Sequence, residues 1–250
     1  MNIRIILFLF LIFFACASSE DTKADFIGEK GEIAIPIKYN KVIWSFTRPE
    51  RLARVELNGK YGYIDDKTYK EVIPIIYDDA WLFSEGLARV KLNGKWGYID
   101  TTGKEVTPLK YDYVWDFDEG LARVKLNDKY GYIDTTFKEV IPLKYDLMWP
   151  FSEGLTCVKL NNKYGYIDKT GKEVIPIKYD FAWAAFGDGL FGVELNGKWG
   201  FIDITDKVII PFKYDFAGFF GGGFAPVKLN GEEDIIDKTG KMVFPIKDDK

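Results

Sequence analysis

One segment of this chain returns about every 34 residues, and nothing else in the sequence limits the fold so strongly. It reads GLARVKLNGKWGYIDTTGKEV at 86–106, GLARVKLNDKYGYIDTTFKEV from Gly120, GLTCVKLNNKYGYIDKTGKEV from Gly154 and GLFGVELNGKWGFIDITDKVI from Gly189. A unit this short cannot bury an apolar face alone, so each copy must be covered by its neighbour. The chain is therefore expected to be an array of like units.

The unit reads as β-structure. Asn58-Gly59, Asn93-Gly94, Asn196-Gly197 and Asn230-Gly231, with Asn127-Asp128 and Asn161-Asn162 as variants, predict two-residue type I′ hairpin turns, because these residues tolerate positive φ. A turn at 93–94 sets Lys91 opposite Trp96, Val90 opposite Gly97, Arg89 opposite Tyr98 and Ala88 opposite Ile99. One face then carries Ala88, Val90, Leu92 and Ile99, and the other carries Trp96 and Tyr98 along the stems of Arg89 and Lys91. Both faces are sticky and need cover. The recurring aromatic-Gly pair (Tyr61-Gly62, Trp96-Gly97, Tyr130-Gly131, Tyr164-Gly165, Trp199-Gly200) is expected to be a packing device: the ring is a knob, and the glycine a notch that receives a neighbour's ring. Asp100, Asp134, Asp168, Asp203 and Asp237 are expected to cap a second turn rather than bind calcium, since each copy offers a single carboxylate. Gly103, Gly171 and Gly240 suit a positive-φ position in that turn; Tyr69, Phe137 and Asp206 replace them. A third strand is expected to stop at Pro36, Pro74, Pro108, Pro142, Pro176, Pro211 and Pro245. The following segment has room for a fourth short strand or a crossover.

Hairpins start near Leu52, Leu87, Leu121, Leu155, Leu190 and Ala225, whereas the Pro-terminated strands begin one half-copy earlier, at 26–39. The last hairpin has lost its signature: Glu233-Asp234 stands in place of the aromatic-Gly pair, and Pro226 lies in its first strand. NGKWGYID, NDKYGYID, NNKYGYID and NGKWGFID, together with TGKEVIPIKYD, resemble the WG (KWG) repeat family of bacterial proteins over about residues 26–247. The resemblance implies an extracytoplasmic or surface protein and no common activity. The fold expected is all-β, tandem ~34-residue antiparallel meanders in a β-propeller-like ring, with an open solenoid stack of three-stranded units as the alternative.

The N-terminus reads as an address. A single cation at Arg4 precedes the apolar stretch 5–15, too short to span a bilayer comfortably, and Ala15 precedes Cys16. This arrangement resembles a relaxed bacterial lipoprotein cleavage site. It implies a signal peptide over 1–15, lipidated Cys16, a polar tether to 25 and one repeat domain over 26–250. Ordinary secretion and an uncleaved anchor are the alternatives. Acyl chains contribute roughly 0.8 kcal/mol per buried CH2 to membrane attachment. The one other cysteine, Cys157, takes the slot of Arg54, Arg89 and Arg123 and reads as a structural filler.

Net charge is −4 with dispersed cations, which argues against nucleic acid. The absence of histidine removes His-dependent catalysis and His-ligated zinc. No metal or cofactor is expected. Trp44, Trp81, Trp115, Trp149 and Trp183 recur in the connecting segments, with Gly218 beside Phe219 in the sixth copy. Trp81, Trp115, Trp149 and Trp183 are the candidate binding residues, a surface row for glycans or extended peptides; the competing reading is that each Trp fills the gap between copies. Asp112, Asp146, Asp180 and Asp215 would border or cap that row. A membrane-anchored binding module for protein or glycan ligands is the first functional expectation, and a periplasmic assembly or scaffold factor the second. A carboxylate-pair glycosidase is third, because repetition supplies equivalent acids and no copy shows a unique acidic cluster.

Overall fold

A computed structural model describes residues 38–44, 51–184 and 187–243. The signal segment, Cys16, the tether, and the half-copy up to residue 37 with Pro36 lie outside the described residues, as does Pro245. Among the described residues there is no helix; the strands form six antiparallel sheets of three or four. They fall into two compact units. The first comprises the described residues up to Leu92 with Ile99–Lys104, and the second Asn93–Tyr98 with those from Glu105 onward.

One sheet of the second unit shows the pattern. Leu147–Met148, Leu155–Leu160, Lys163–Asp168 and Glu173–Tyr179 pair in chain order. The connecting segment thus supplies an entry strand to the sheet of the following copy, with Leu147 opposite Lys159. Three tight turns build the meander. Glu153 (φ 50°) and Gly154 (φ 80°) make the first, a positive-φ pair that the sequence reading did not recognise. Asn161 (φ 51°) and Asn162 (φ 63°) make the second, as expected of a type I′ turn. In the third, Asp168 Oδ1 accepts from the backbone N–H groups of Thr170 (2.9 Å) and Lys172 (3.1 Å) and from the Thr170 hydroxyl (2.6 Å). Asp100, Asp134, Asp203 and Asp237 repeat that cap. Phe137 (φ 63°) and Asp206 (φ 67°) keep the left-handed backbone without glycine.

The hairpin register is the one read from the turn: Lys125 faces Tyr130, Val124 Gly131, Arg123 Tyr132 and Ala122 Ile133. The third strand differs from expectation. It does not stop at proline but runs through it, from Glu139 to Tyr145. Tyr130 pairs with Tyr145 and Tyr132 with Ile141, so Gly131 alone faces the three residues 142–144. Proline's missing N–H fits such a bulge as well as it fits a strand end.

The bulge also corrects the expected role of the glycine. A Cβ on Gly131 would lie 2.5 Å from the Ile141 carbonyl oxygen and 3.0 Å from the Leu143 nitrogen. On Gly165 it would meet Ile175 O at 2.7 Å, and on Gly200 Ile210 O at 2.8 Å. The notch is therefore filled by the copy's own third strand and not by a neighbour's ring. Between copies the rings do meet. Tyr132 packs on Phe151 (4.9 Å), Tyr166 on Phe191 (4.8 Å) and Phe201 on Phe220 (4.7 Å), at centroid distances of favourable aromatic pairs. The ring before the glycine reaches the next entry strand, as Tyr164 does to Phe181 and Trp199 to Phe216. Tyr132, Tyr166 and Phe201 are buried; Ile235, at the same register in the last copy, is 41% exposed.

Candidate functional site

The connecting Trp residues sit at the start of each sheet, held by backbone. Trp149 N donates to Cys157 O, Trp115 N to Arg123 O and, in the first unit, Trp81 N to Arg89 O. Their carbonyls accept from the second tyrosine of the preceding copy: Tyr132 Oη to Trp149 O at 3.1 Å, Tyr166 Oη to Trp183 O at 2.5 Å and, in the first unit, Tyr63 Oη to Trp81 O at 2.5 Å. Burial lifts the Tyr132 phenol to about 12, so it remains a donor at neutral pH. These hydroxyls are staples between copies.

The rings are less uniform than a single row requires. In the first unit Arg89 lies over Trp81 at 4.3 Å, yet Trp81 stays 43% exposed, and Trp44 packs edge-on against Tyr69. In the second unit Arg123 covers Trp115 at 3.9 Å. Trp149 has Cys157 at the Arg slot and is 44% exposed. Trp183 is half-buried over Gly192, whose added Cβ would lie 3.0 Å from the indole.

What occupies the Arg slot decides which group bonds the entry strand of the next copy. Arg123 donates to Met148 O at 2.6 Å, Cys157 Sγ points at Ala182 O at 3.8 Å, and Arg54 in the first unit bonds Ala80 O. Each acceptor precedes the next connecting Trp or, after Cys157, Trp183. Where Gly192 has no side chain, Trp183 Nε1 donates instead, to Ala217 O at 2.7 Å. Cys157 is buried and its thiol is pushed up to about 12, which makes it a poor nucleophile.

The aspartates of the Lys-Tyr-Asp triplets hold copies together. Asp146 takes Lys129 Nζ at 2.5 Å and the Asn161 N–H at 2.8 Å. Asp180 does the same with Lys163 (2.5 Å) and Asn196 (2.6 Å). The charged lysine hydrogen bond is the first cause of their depressed carboxylate pKa values.

Among the described residues of the second unit, two cavities adjoin the connecting tryptophans. One, about 240 Å³, is walled by Trp115, Asp116, Asp118, Glu119, Arg123 and Tyr132 on one side and by Pro150, Phe151 and Lys169 on the other. Lys169 pairs with Glu119. Asp116 and Asp118 are particular to this copy, because Leu82 and Ser84, or Pro150 and Ser152, occupy their places elsewhere, whereas Glu119 recurs as Glu85 and Glu153. Comparison of the copies column by column exposes this pair of acids. Among the described residues no three acidic or thiol groups converge as metal ligands would. The second cavity, about 410 Å³, is a cleft in the sixth copy lined by Trp183, Phe216, Gly218, Phe219, Phe224 and Pro226.

An all-β array of three- and four-stranded meanders, each sheet entered through the connection from the copy before, defines a tandem β-repeat protein. It belongs to the WG-containing repeat family, which matches residues 26–61, 61–96, 96–130, 130–164, 164–199 and 199–232 in succession. Comparison with curated proteins gave no match. Among solved structures, the chain is similar to the extracellular domain of a hybrid two-component system of B. thetaiotaomicron, at 10% identity and a TM-score of 0.39. That likeness covers 86% of this chain and 36% of the other, so the chain spans about a third of its length. Kluyveromyces lactis Hsv2 is similar at 8% identity and a TM-score of 0.39, over 75% of this chain and 70% of Hsv2.

Proposed function

We propose that this chain is a non-catalytic binding module, held outside the cytoplasm on a membrane through lipidated Cys16, that docks protein ligands on the aromatic surface of its second unit. The observation that carries the docking is the sixth-copy cleft. Phe216, Phe219 and Phe224 are exposed around it, and no titratable side chain lines it. Exposed rings grouped in this way mark interaction sites, and a wall without charged side chains suits apolar side chains better than sugar hydroxyls. The anchor reading rests on the sequence alone. Mature protein immobilised through its C-terminus should capture an envelope protein that a Phe219→Asp plus Phe224→Asp variant does not; equal capture by both would end the reading. Radiolabelled palmitate should enter the full chain and be lost in Cys16→Ala.

A second reading is favoured by the Trp115 cavity. A sugar would lie against the edge of the indole, whose face Arg123 covers, while Asp116 and Asp118 bond its hydroxyls. Glycan binding abolished by Asp116→Asn plus Asp118→Asn, with capture of protein unaffected, would move the proposal there.

A further inference from the structure

The sixth-copy cleft stands where the other copies keep a ring of their own. Gly218 N donates to Pro226 O at 2.8 Å, the same bond that Trp115 makes to Arg123 and Trp149 to Cys157. Gly218 is therefore the connecting Trp position and Pro226 the Arg position, and the sixth copy has lost both side chains together. The loss is coupled, because a Cβ on Gly218 would fall 2.7 Å from Pro226 Cγ. What remains is a cavity of about 410 Å³ floored by Pro226 and walled by Trp183, Phe216, Phe219 and Phe224. The Trp183 wall is fixed by its Nε1 bond to Ala217 O.

We propose that this cleft receives an aromatic side chain, tryptophan best, carried by an extended segment of a partner protein. The inference rests on the docking reading above and names its ligand chemistry. The molecule itself supplies the template: Trp115 and Trp149 show what sits at this register when the chain provides the ring. The size of the patch points to a short segment and not to a second copy of this chain. Phe216, Phe219 and Phe224 are 42%, 54% and 46% exposed. At roughly 200 Å² per ring they offer about 300 Å², well under the ~800 Å² per partner that a stable protein interface buries. One inserted ring flanked by a few extended residues matches that area.

The test uses the full chain and fluorescein-labelled pentapeptides, Gly-Gly-X-Gly-Gly, with Trp, Phe or Ala at X, read by fluorescence anisotropy. The Trp peptide should bind at least about tenfold more tightly than the Ala peptide, with Phe between them. Gly218→Trp plus Pro226→Arg rebuilds the ring and cation found at 115 and 123 and should abolish the preference. Phe219→Ser removes an exposed wall without touching the core; it should weaken the Trp peptide about fivefold and decides the matter if the double variant does not fold. Equal binding of Trp and Ala peptides, a preference that survives both variants, or sedimentation showing a dimer that Phe219→Ser disperses would overturn the proposal. If the peptides fail while the envelope capture persists, this inference falls and the broader reading stands; if both fail, both fall.

Discussion

Replacing Gly131 by alanine should be costly, and the structure says how costly. The new Cβ would lie 2.5 Å from Ile141 O, where ordinary contact begins near 3.4 Å, so the bulged third strand would have to retreat by about 0.9 Å. The obstacle is backbone and cannot swing aside as a side chain tip would. Overpacking of this kind costs ~1–3 kcal/mol, and loosening the pairing of Tyr132 with Ile141 loses about 1 kcal/mol of hydrogen bonding. Alanine returns ~0.4–1 kcal/mol through the stiffer unfolded chain. The balance is a loss of about 1–4 kcal/mol. Urea unfolding followed by tryptophan fluorescence measures it, with an unchanged slope showing that compactness is preserved. If Gly131→Ala fell within about 0.5 kcal/mol of wild type, the notch would not be occupied as described, and the assignment of this glycine to the bulge would be wrong. Asp234 is the internal control: it stands at the same register in the last hairpin, opposite Val227.

Other expectations follow from the same contacts. Tyr132→Phe removes the staple to Trp149 O and should cost about 1 kcal/mol in the same assay; no change would show that water serves as well. Asp100, Asp134, Asp168, Asp203 and Asp237 have folded pKa values depressed first by the hydroxyl of the threonine two residues on. Their stabilisation is therefore complete above the unfolded carboxylate value of 3.8 and is lost as pH falls below it through the folded values. The melting temperature should drop steadily below about pH 4, and Asp134→Asn should flatten the drop; a flat profile in the parent would contradict the caps. Cys157 should resist iodoacetamide in the folded protein and react once urea unfolds it, with mass spectrometry as the readout; rapid labelling of the native chain would place the thiol elsewhere.

Where the sequence could be read, local conformation was the reason. Asn161-Asn162 and Asn93-Gly94 announce positive φ at two successive positions, and the register of the hairpin then follows by counting. The caps at Asp134 and Asp168 were equally plain because Asx turns need only the next few residues. Features that depend on what lies opposite were harder. Pro142 reads equally as a strand stop or a bulge residue, since its missing N–H suits both, and only the pairing of Tyr130 with Tyr145 separates the two. Glu153 adopts φ 50° without belonging to a residue type that advertises it, leaving Gly154 as the one local sign of that turn. The contacts of the connecting tryptophans involve the residue eight or nine places on, which is Arg123, Cys157 or Gly192, and that residue decides which group donates to the next copy. Asp116 and Asp118 could have been found by asking where one copy departs from the rest. The sixth-copy departure at Gly218 was visible; its meaning needed the geometry of Pro226 beside it.

The central claim is that a four-stranded copy has two sticky faces and stays folded because its neighbours cover them. It is tested most directly by an excised single copy, residues 145–179, spanning the entry strand to the end of the third strand. Proton–nitrogen NMR of that peptide in native buffer should show the narrow amide dispersion of an unfolded chain, because Tyr166 loses Phe191 and the Trp183 carbonyl. A dispersed spectrum with a cooperative melt would mean that one copy is sufficient, and the account of the array would have to be abandoned.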